Sequence, residues 1–267
     1  MNKKIGFIGA GKMAQAMIEG ILKSKIIPKE NMIASAKSIS TVDKIKTNYL
    51  IAATNNNLEV ARGADILFLA VKPNQYTEVI GEIKNELNQD CIIITIAAGI
   101  TLEDIDNAFG IRMKAVRTMP NTPSLVGEGM CAICPNNRLS EEDVLMVERL
   151  FNTFSKTERL EENLMDAVPA ISGSSPAYVY LLIEAMADGG VMQGIPRDKA
   201  YRLAAQAVLG AAKMVLETES HPGKLKDDVC TPGGATIDAV AVLEKKQFRG
   251  SILSAMESCT EKVKSLK

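Results

Sequence analysis

The chain has 267 residues, of which 46% are hydrophobic and 24% charged, and its formal net charge is −1. Those values describe a globular protein of one large or two smaller domains, with no general electrostatic footprint for nucleic acid or acidic membranes. The apolar stretch behind Lys3 and Lys4 is interrupted by Lys12, too soon for a signal peptide, and no run nears the ~18 apolar residues of a membrane span, so a cytoplasmic location is expected.

The expected architecture is α/β. Residues 1–164 should form a Rossmann-type, doubly wound domain, and residues 165–267 a helical domain. "KKIGFIGA" reads as a strand that runs directly into a helix, "GKMAQAM". The junction spells G-x-G-x-x-A through Gly9, Gly11 and Ala14. The first glycine permits the turn, the second lets backbone approach a pyrophosphate, and the small third residue lets helix pack on strand. Lys12 and Met13, which follow in the same loop, join Gly9 and Gly11 as expected cofactor contacts. "NMIASA" is the second strand. NAD-preferring folds usually end this strand with a carboxylate for the ribose 2′-OH, whereas Ser35 and Lys37 offer a hydroxyl and a cation. That pair suits a 2′-phosphate, so NADP(H) is the preferred cofactor, with NAD(H) still usable.

"ADILFLAV" and "DCIIITIA" are the next strands, and fully apolar runs such as "ILFLAV" suit strands buried on both faces. They end in "AVKP" (Ala70 to Pro73) and "AAGI" (Ala97 to Ile100), at the sheet edge where open α/β folds bind ligands. Thr101 with Asp104 and Ser140 with Asp143 have the spacing of capping boxes and should open two helices. Between those helices, "KAVRTMP" and "GMCAICP" read as further strands. The second holds Cys131 and Cys134, which on a strand point to opposite faces. Lacking a second pair or a neighbouring histidine, they read as reduced buried thiols, and no metal site is expected.

Strands are expected to stop after about Leu164. Ser175-Pro176 opens a helix running to about Gly194 that is apolar on nearly every side. Such a helix must be buried on every side, which points to a second subunit. Its Gly189-Gly190 pair costs helix stability, and close helix–helix contact is one reason to keep it. Pro196 opens a second long helix. The only histidine, His221, precedes a proline and reads as a surface loop residue rather than a general base. "DVCTPGGATIDAVAVLE" passes from loop to helix at Gly233-Gly234, leaving bare N–H groups at a helix mouth. Two readings fit: an anion site, or a plain helix N-cap by Thr236 or its neighbour.

Taken in order, "FIGAGKMA", "FLAVKP", "MPNTP", "SGSSPAYVY", "ADGGVMQGI", "AVLGAAKMV", "HPGKLKDDV" and "PGGATI" resemble the pyrroline-5-carboxylate reductase family over essentially the whole chain. The resemblance implies reduction of L-1-pyrroline-5-carboxylate to L-proline, the last step of proline biosynthesis, by an interlocked homodimer that often builds a ring of dimers. It places the substrate loop on Val229, Thr231, Gly233, Gly234, Ala235 and Thr236. The nicotinamide-side contacts fall on Val71, Lys72, Pro73, Ala98, Asn121 and Thr122. Ser35 and either Asn56 or Asn57 fall on the adenosine side. With a carboxylate at the helix mouth, the Thr236 hydroxyl can reach the imine nitrogen, which makes Thr236 the candidate catalytic residue. The chain departs from the family at Ser175, where a glycine is common, and in "VCT", where "VTS" or "VSS" is common; Cys230 could confer sensitivity to thiol reagents. Two other readings compete. A β-hydroxyacid dehydrogenase needs a lysine on the first long helix of the second domain, and "GSSPAYVYLLIEAMADGG" has none. A non-catalytic NADP-binding sensor has no reason to keep "PGGAT".

Overall fold

The computed structural model describes residues 1–265, which divide into two compact units. The first comprises residues 1–174 together with the chain from Cys259 onward; the second comprises Ser175–Ser258. Residues 165–174 therefore pack with the sheet, beyond the boundary at Leu164 drawn from the sequence. An ion pair helps to hold the approach to this segment. Arg117, buried on a strand, donates to Asp166 at 2.6 Å and lies 3.6 Å from Glu162. Glu162 also accepts from the Leu102 amide at 2.7 Å. Removing the acidic partners would leave the buried Arg117 charge uncompensated, which typically costs about 3–5 kcal/mol.

The first unit is an eight-stranded sheet built from β1 (Ile5–Ile8), β2 (Met32–Ser35), β3 (Ala52–Thr54), β4 (Ile66–Leu69), β5 (Ile92–Thr95), β6 (Lys114–Met119), β7 (Gly129–Pro135) and β8 (Ser155–Arg159). Their order across the sheet is β3-β2-β1-β4-β5-β6-β7-β8. All neighbours pair in parallel except β6 and β7, which are antiparallel. Two large apolar cores form, one on each face, and a small third cluster gathers Ala132, Cys134, Met165 and Val168. Ile5, Phe7, Ile66, Phe68, Ile92 and Ile94 enter one core, while Ile8, Leu67, Leu69 and Ile93 enter the other. This period-two sorting is why the inner strands read as unbroken apolar runs. In the first core Phe7 stacks on Phe68 with ring centroids 4.5 Å apart, and Phe151 and Phe154 extend the cluster.

Strands β3 and β8 are not apparent in the sequence, and both lie at the sheet's edges. "AAT" is too short to show a period, and "SKTER" carries three charged residues, as an exposed edge tolerates. Helices α1 (Lys12–Ser24), α2 (Ile39–Tyr49), α3 (Asn57–Ala61), α4 (Tyr76–Ile83), α5 (Leu102–Phe109) and α6 (Glu141–Phe151) fill the connections. Both expected capping boxes form: Thr101 with Asp104 opens α5, and Ser140 with Asp143 opens α6. Cys131 and Cys134 enter separate cores, so the C-x-x-C sulfurs do point to opposite faces.

The second unit is helical: α7 (Ser175–Met192), α8 (Arg197–Thr218), α9 (Pro222–Val229), α10 (Ala235–Lys245) and the first part of α11 (Phe248–Lys264). A Cβ on Gly190 would stand 3.3 Å from the Ala200 Cβ, so this glycine permits α7 to pack closely on α8. Gly189 faces open space. The unit buries little of its own: within it Ala187, Ala200 and Ala204 are the buried apolar side chains among the described residues, while Leu181, Leu203 and Leu216 are exposed. Such an apolar surface is not that of a free-standing helical layer.

Candidate active site

The sheet order reverses beside β1, which lies between β2 and β4, and a cleft of about 640 Å³ opens at the carboxyl ends of these strands. Open α/β sheets bind ligands at this switch point. Gly9, Gly11, Ser35, Lys37, Asn57, Ala70, Val71 and Lys72 all line it, so residues far apart in the sequence are brought together.

The two glycines of the loop serve different ends. Gly9 has φ +96°, and a Cβ there would meet the Ala70 carbonyl oxygen at 2.5 Å, so fold geometry alone demands glycine. Gly11 is the N-cap of α1 with extended backbone (φ −69°), and a Cβ there would meet nothing within 4 Å. Nothing in the protein requires its lack of a side chain; the opening fits a ligand that approaches the backbone closely. Behind it, the first turn of α1 contributes unpaired N–H groups and the positive end of the helix dipole. The cleft thus has the donors and the open backbone approach that suit a dinucleotide pyrophosphate, at Gly9, Gly11 and the start of α1.

At the β2 end, the Ser35 hydroxyl donates to Asn57 Oδ1 at 2.7 Å, and Asn57 Nδ2 donates to Glu82 Oε2 at 2.8 Å. Lys37 is exposed on the rim, and Ser38 caps α2 by accepting from the Thr41 amide. Ser38, Thr41, Gln75 and Glu82 line the cleft but were missed in the sequence; the run "KSISTVD" held the only local signal, an N-cap serine. Of the two asparagines, Asn56 caps α3 by accepting from the Leu58 amide at 2.9 Å, whereas Asn57 lines the cleft.

Lys12, Met13, Ala98, Asn121 and Thr122 do not line this cleft, and Pro73 lines the neighbouring one between α4 and α5. Asn121 has structural ties: its amide donates to the Ser172 carbonyl at 3.0 Å and its Oδ1 accepts from the Met130 amide at 2.9 Å. A buried hydroxyl cluster braces the ends of β4, β5 and β6. Tyr76 donates to the Leu69 carbonyl at 2.6 Å, its hydroxyl meets Thr95 Oγ1 at 2.7 Å, and Thr118 donates to the Thr95 carbonyl. Burial pushes the Tyr76 phenol up to about 12, so it stays a neutral brace.

On the second unit, Gly233 has φ +68° and the turn closes by a 3.0 Å hydrogen bond from the Gly234 amide to the Thr231 carbonyl. Gly234 is the N-cap of α10 and has no side chain to accept from the helix. Thr236, two residues on, is exposed and takes no part in the cap. No side chain of "PGGAT" therefore caps α10, and its first N–H groups stand open at the helix mouth. His221, by contrast, is structural: its Nδ1 accepts from the Gly223 amide at 3.0 Å and caps α9.

Residues 4–99 match the family model described as NADP oxidoreductase coenzyme F420-dependent, and residues 162–266 match that described as pyrroline-5-carboxylate reductase dimerisation. The pyrroline-5-carboxylate reductase of Escherichia coli (strain K12) is 46% identical over 266 residues, covering 100% of this chain and 99% of the relative. Among solved structures, a pyrroline-5-carboxylate reductase from Coxiella burnetii superposes with TM-score 0.93 at 31% identity, covering 100% of this chain and 99% of that one. The pyrroline carboxylate reductase of Plasmodium falciparum with NADP bound superposes with TM-score 0.89 at 36% identity, covering 99% and 98%. The switch-point cleft, the glycine loop and these matches define an oxidoreductase that uses a nicotinamide dinucleotide. With such identity over its full length, the chain belongs to the pyrroline-5-carboxylate reductase family.

Proposed function

We propose that this chain reduces L-1-pyrroline-5-carboxylate to L-proline, with NADPH as preferred hydride donor and NADH also usable. The observation that carries the reading is the open mouth of α10, whose N-cap Gly234 offers no side chain. The Gly234 amide is committed to the Thr231 carbonyl, so the Ala235 and Thr236 amides of the first helical turn are the ones left to hold the substrate carboxylate. Val229, Thr231 and Gly233 shape the loop around it. The Thr236 hydroxyl then donates a hydrogen bond to the ring nitrogen and, as the carbon takes up hydride, relays to that nitrogen a proton that water replaces. A reduced nicotinamide supplies the hydride that the imine carbon accepts. The imine carbon is already electrophilic, so orientation carries most of the acceleration and no strong side-chain base is needed.

Gly9, Gly11, Lys12 and Met13 serve the pyrophosphate; Ser35, Lys37 and Asn57 serve the adenosine ribose. Ala70, Val71, Lys72, Pro73, Ala98, Asn121 and Thr122 serve the nicotinamide side. Lys37 is the cation for the 2′-phosphate. The exposed apolar side chains of α7 and α8, with Leu181 at 68% and Leu216 at 79% exposure, support a homodimer through the second unit. Rings of such dimers and a cytoplasmic location are the remaining parts of the proposal. A direct test compares oxidation of NADPH and NADH with pyrroline-5-carboxylate against reversal of a β-hydroxyacid oxidation. Turnover is expected only with the cyclic imine; turnover only with the hydroxyacid refutes the reading.

A further inference from the structure

We infer that Glu82 is a positioning residue for cofactor discrimination, acting through Asn57 to set the hydrogen-bond polarity of Ser35. This rests on the reading of the switch-point cleft as the dinucleotide site. The three side chains form one chain at its β2 end: Ser35 Oγ donates to Asn57 Oδ1 (2.7 Å), and Asn57 Nδ2 donates to Glu82 Oε2 (2.8 Å). All three line the cleft.

The direction of this chain is dictated from its far end. A carboxylate offers acceptors only, so it draws the NH₂ side of the Asn57 amide and leaves the carbonyl side facing Ser35. A serine hydroxyl has a single proton, and here it is spent on Asn57. What Ser35 retains for the cleft is lone pairs. Lone pairs accept from a ribose hydroxyl, as in NAD(H), and give nothing to a 2′-phosphate, which needs donors. Glu82 thus counteracts the cation Lys37 on the same cleft and keeps the unphosphorylated cofactor usable.

Replacing Glu82 by Gln removes the constraint. A Gln side chain can donate as well as accept, so Asn57 can turn its NH₂ toward Ser35, and the Ser35 proton becomes free for the phosphate. Binding is read by titrating the intrinsic fluorescence of NADPH and NADH without substrate, in wild type, Glu82→Gln, Ser35→Ala and the double variant. Glu82→Gln is expected to raise the NADPH-over-NADH affinity ratio about 5-fold, the size of one net hydrogen bond. In the Ser35→Ala background the same substitution should leave the ratio within about 2-fold, the accuracy of such additivity comparisons. An unchanged ratio in Glu82→Gln overturns the inference. So does an effect that persists in full without Ser35, because simple charge repulsion by Glu82 would then be its cause. Failure of the wild-type protein to bind either cofactor would instead refute the dinucleotide reading itself.

Discussion

Replacing Gly11 with alanine separates what the fold needs from what the ligand needs. In the protein, a Cβ at Gly11 meets nothing within 4 Å, and the backbone there is extended, at φ −69° and ψ −178°. Alanine restricts the unfolded chain and so stabilises by about 0.4–1 kcal/mol. As an N-cap, however, alanine is worse than glycine by roughly 1 kcal/mol. The two effects nearly cancel, leaving a change within about 0.5 kcal/mol and a melting shift of about 1–2 °C. Binding should respond very differently. The new methyl group occupies the approach to the first turn of α1, where the pyrophosphate would draw on backbone N–H groups. Each such charge-assisted hydrogen bond contributes about 1.5–3 kcal/mol, so losing one weakens NADPH binding by roughly 10- to 100-fold. Gly9→Ala is the contrasting control: its φ of +96° and a 2.5 Å approach to the Ala70 carbonyl should cost stability before binding is considered. The assays are a thermal melt and a titration of NADPH fluorescence, which the absence of tryptophan leaves free of indole emission. Gly11→Ala binding NADPH within twofold of wild type, with an unchanged melt, would show that the opening above Gly11 receives no ligand.

Lys37→Glu should raise KM for NADPH at least about tenfold through loss of a charge-assisted contact, with NADH much less affected; equal effects would place Lys37 away from the phosphate. Thr236→Ala should lower kcat/KM for the imine by about 10-fold or more, at the low end of general acid assistance, while Thr236→Ser keeps most activity. Because Thr236 does not cap α10, its circular dichroism melt should not move, and a loss of helix stability would restore the capping explanation. Sedimentation should find no folded, active monomer at low concentration, since an obligate interface of more than about 2,000 Å² is expected to cover the second unit. A thiol reagent at pH 8 should label Cys230 and Cys259 first. Cys91, Cys131 and Cys134 are buried and burial pushes their thiols up, that of Cys91 to about 12. Early labelling of Cys131 would contradict its packing.

The features readable from the sequence are those fixed within a few residues of one another. The G-x-G-x-x-A turn and the boxes at Thr101–Asp104 and Ser140–Asp143 are local, because a helix start satisfies its own N–H groups from side chains within one turn. The buried strands β1, β4 and β5 are legible because both faces meet apolar layers, which leaves Thr95, bonded to Tyr76, as the one polar side chain in them. The helix mouth at Gly233-Gly234 is legible as an opening, though whether Thr236 closed it was not. Tertiary structure alone decided that Asn57 rather than Asn56 faces the cleft, since one backbone step turns one amide to cap α3 and the other toward Ser35. It also decided that Arg117 pairs with Asp166, a partner 49 residues on, and that Glu82 is linked through Asn57 to a serine 47 residues earlier on another element. The edge strands β3 and β8 belong to the same class. They are strands because a finished sheet presents unpaired N–H and C=O groups to them, and no pattern in "AAT" or "SKTER" records that template.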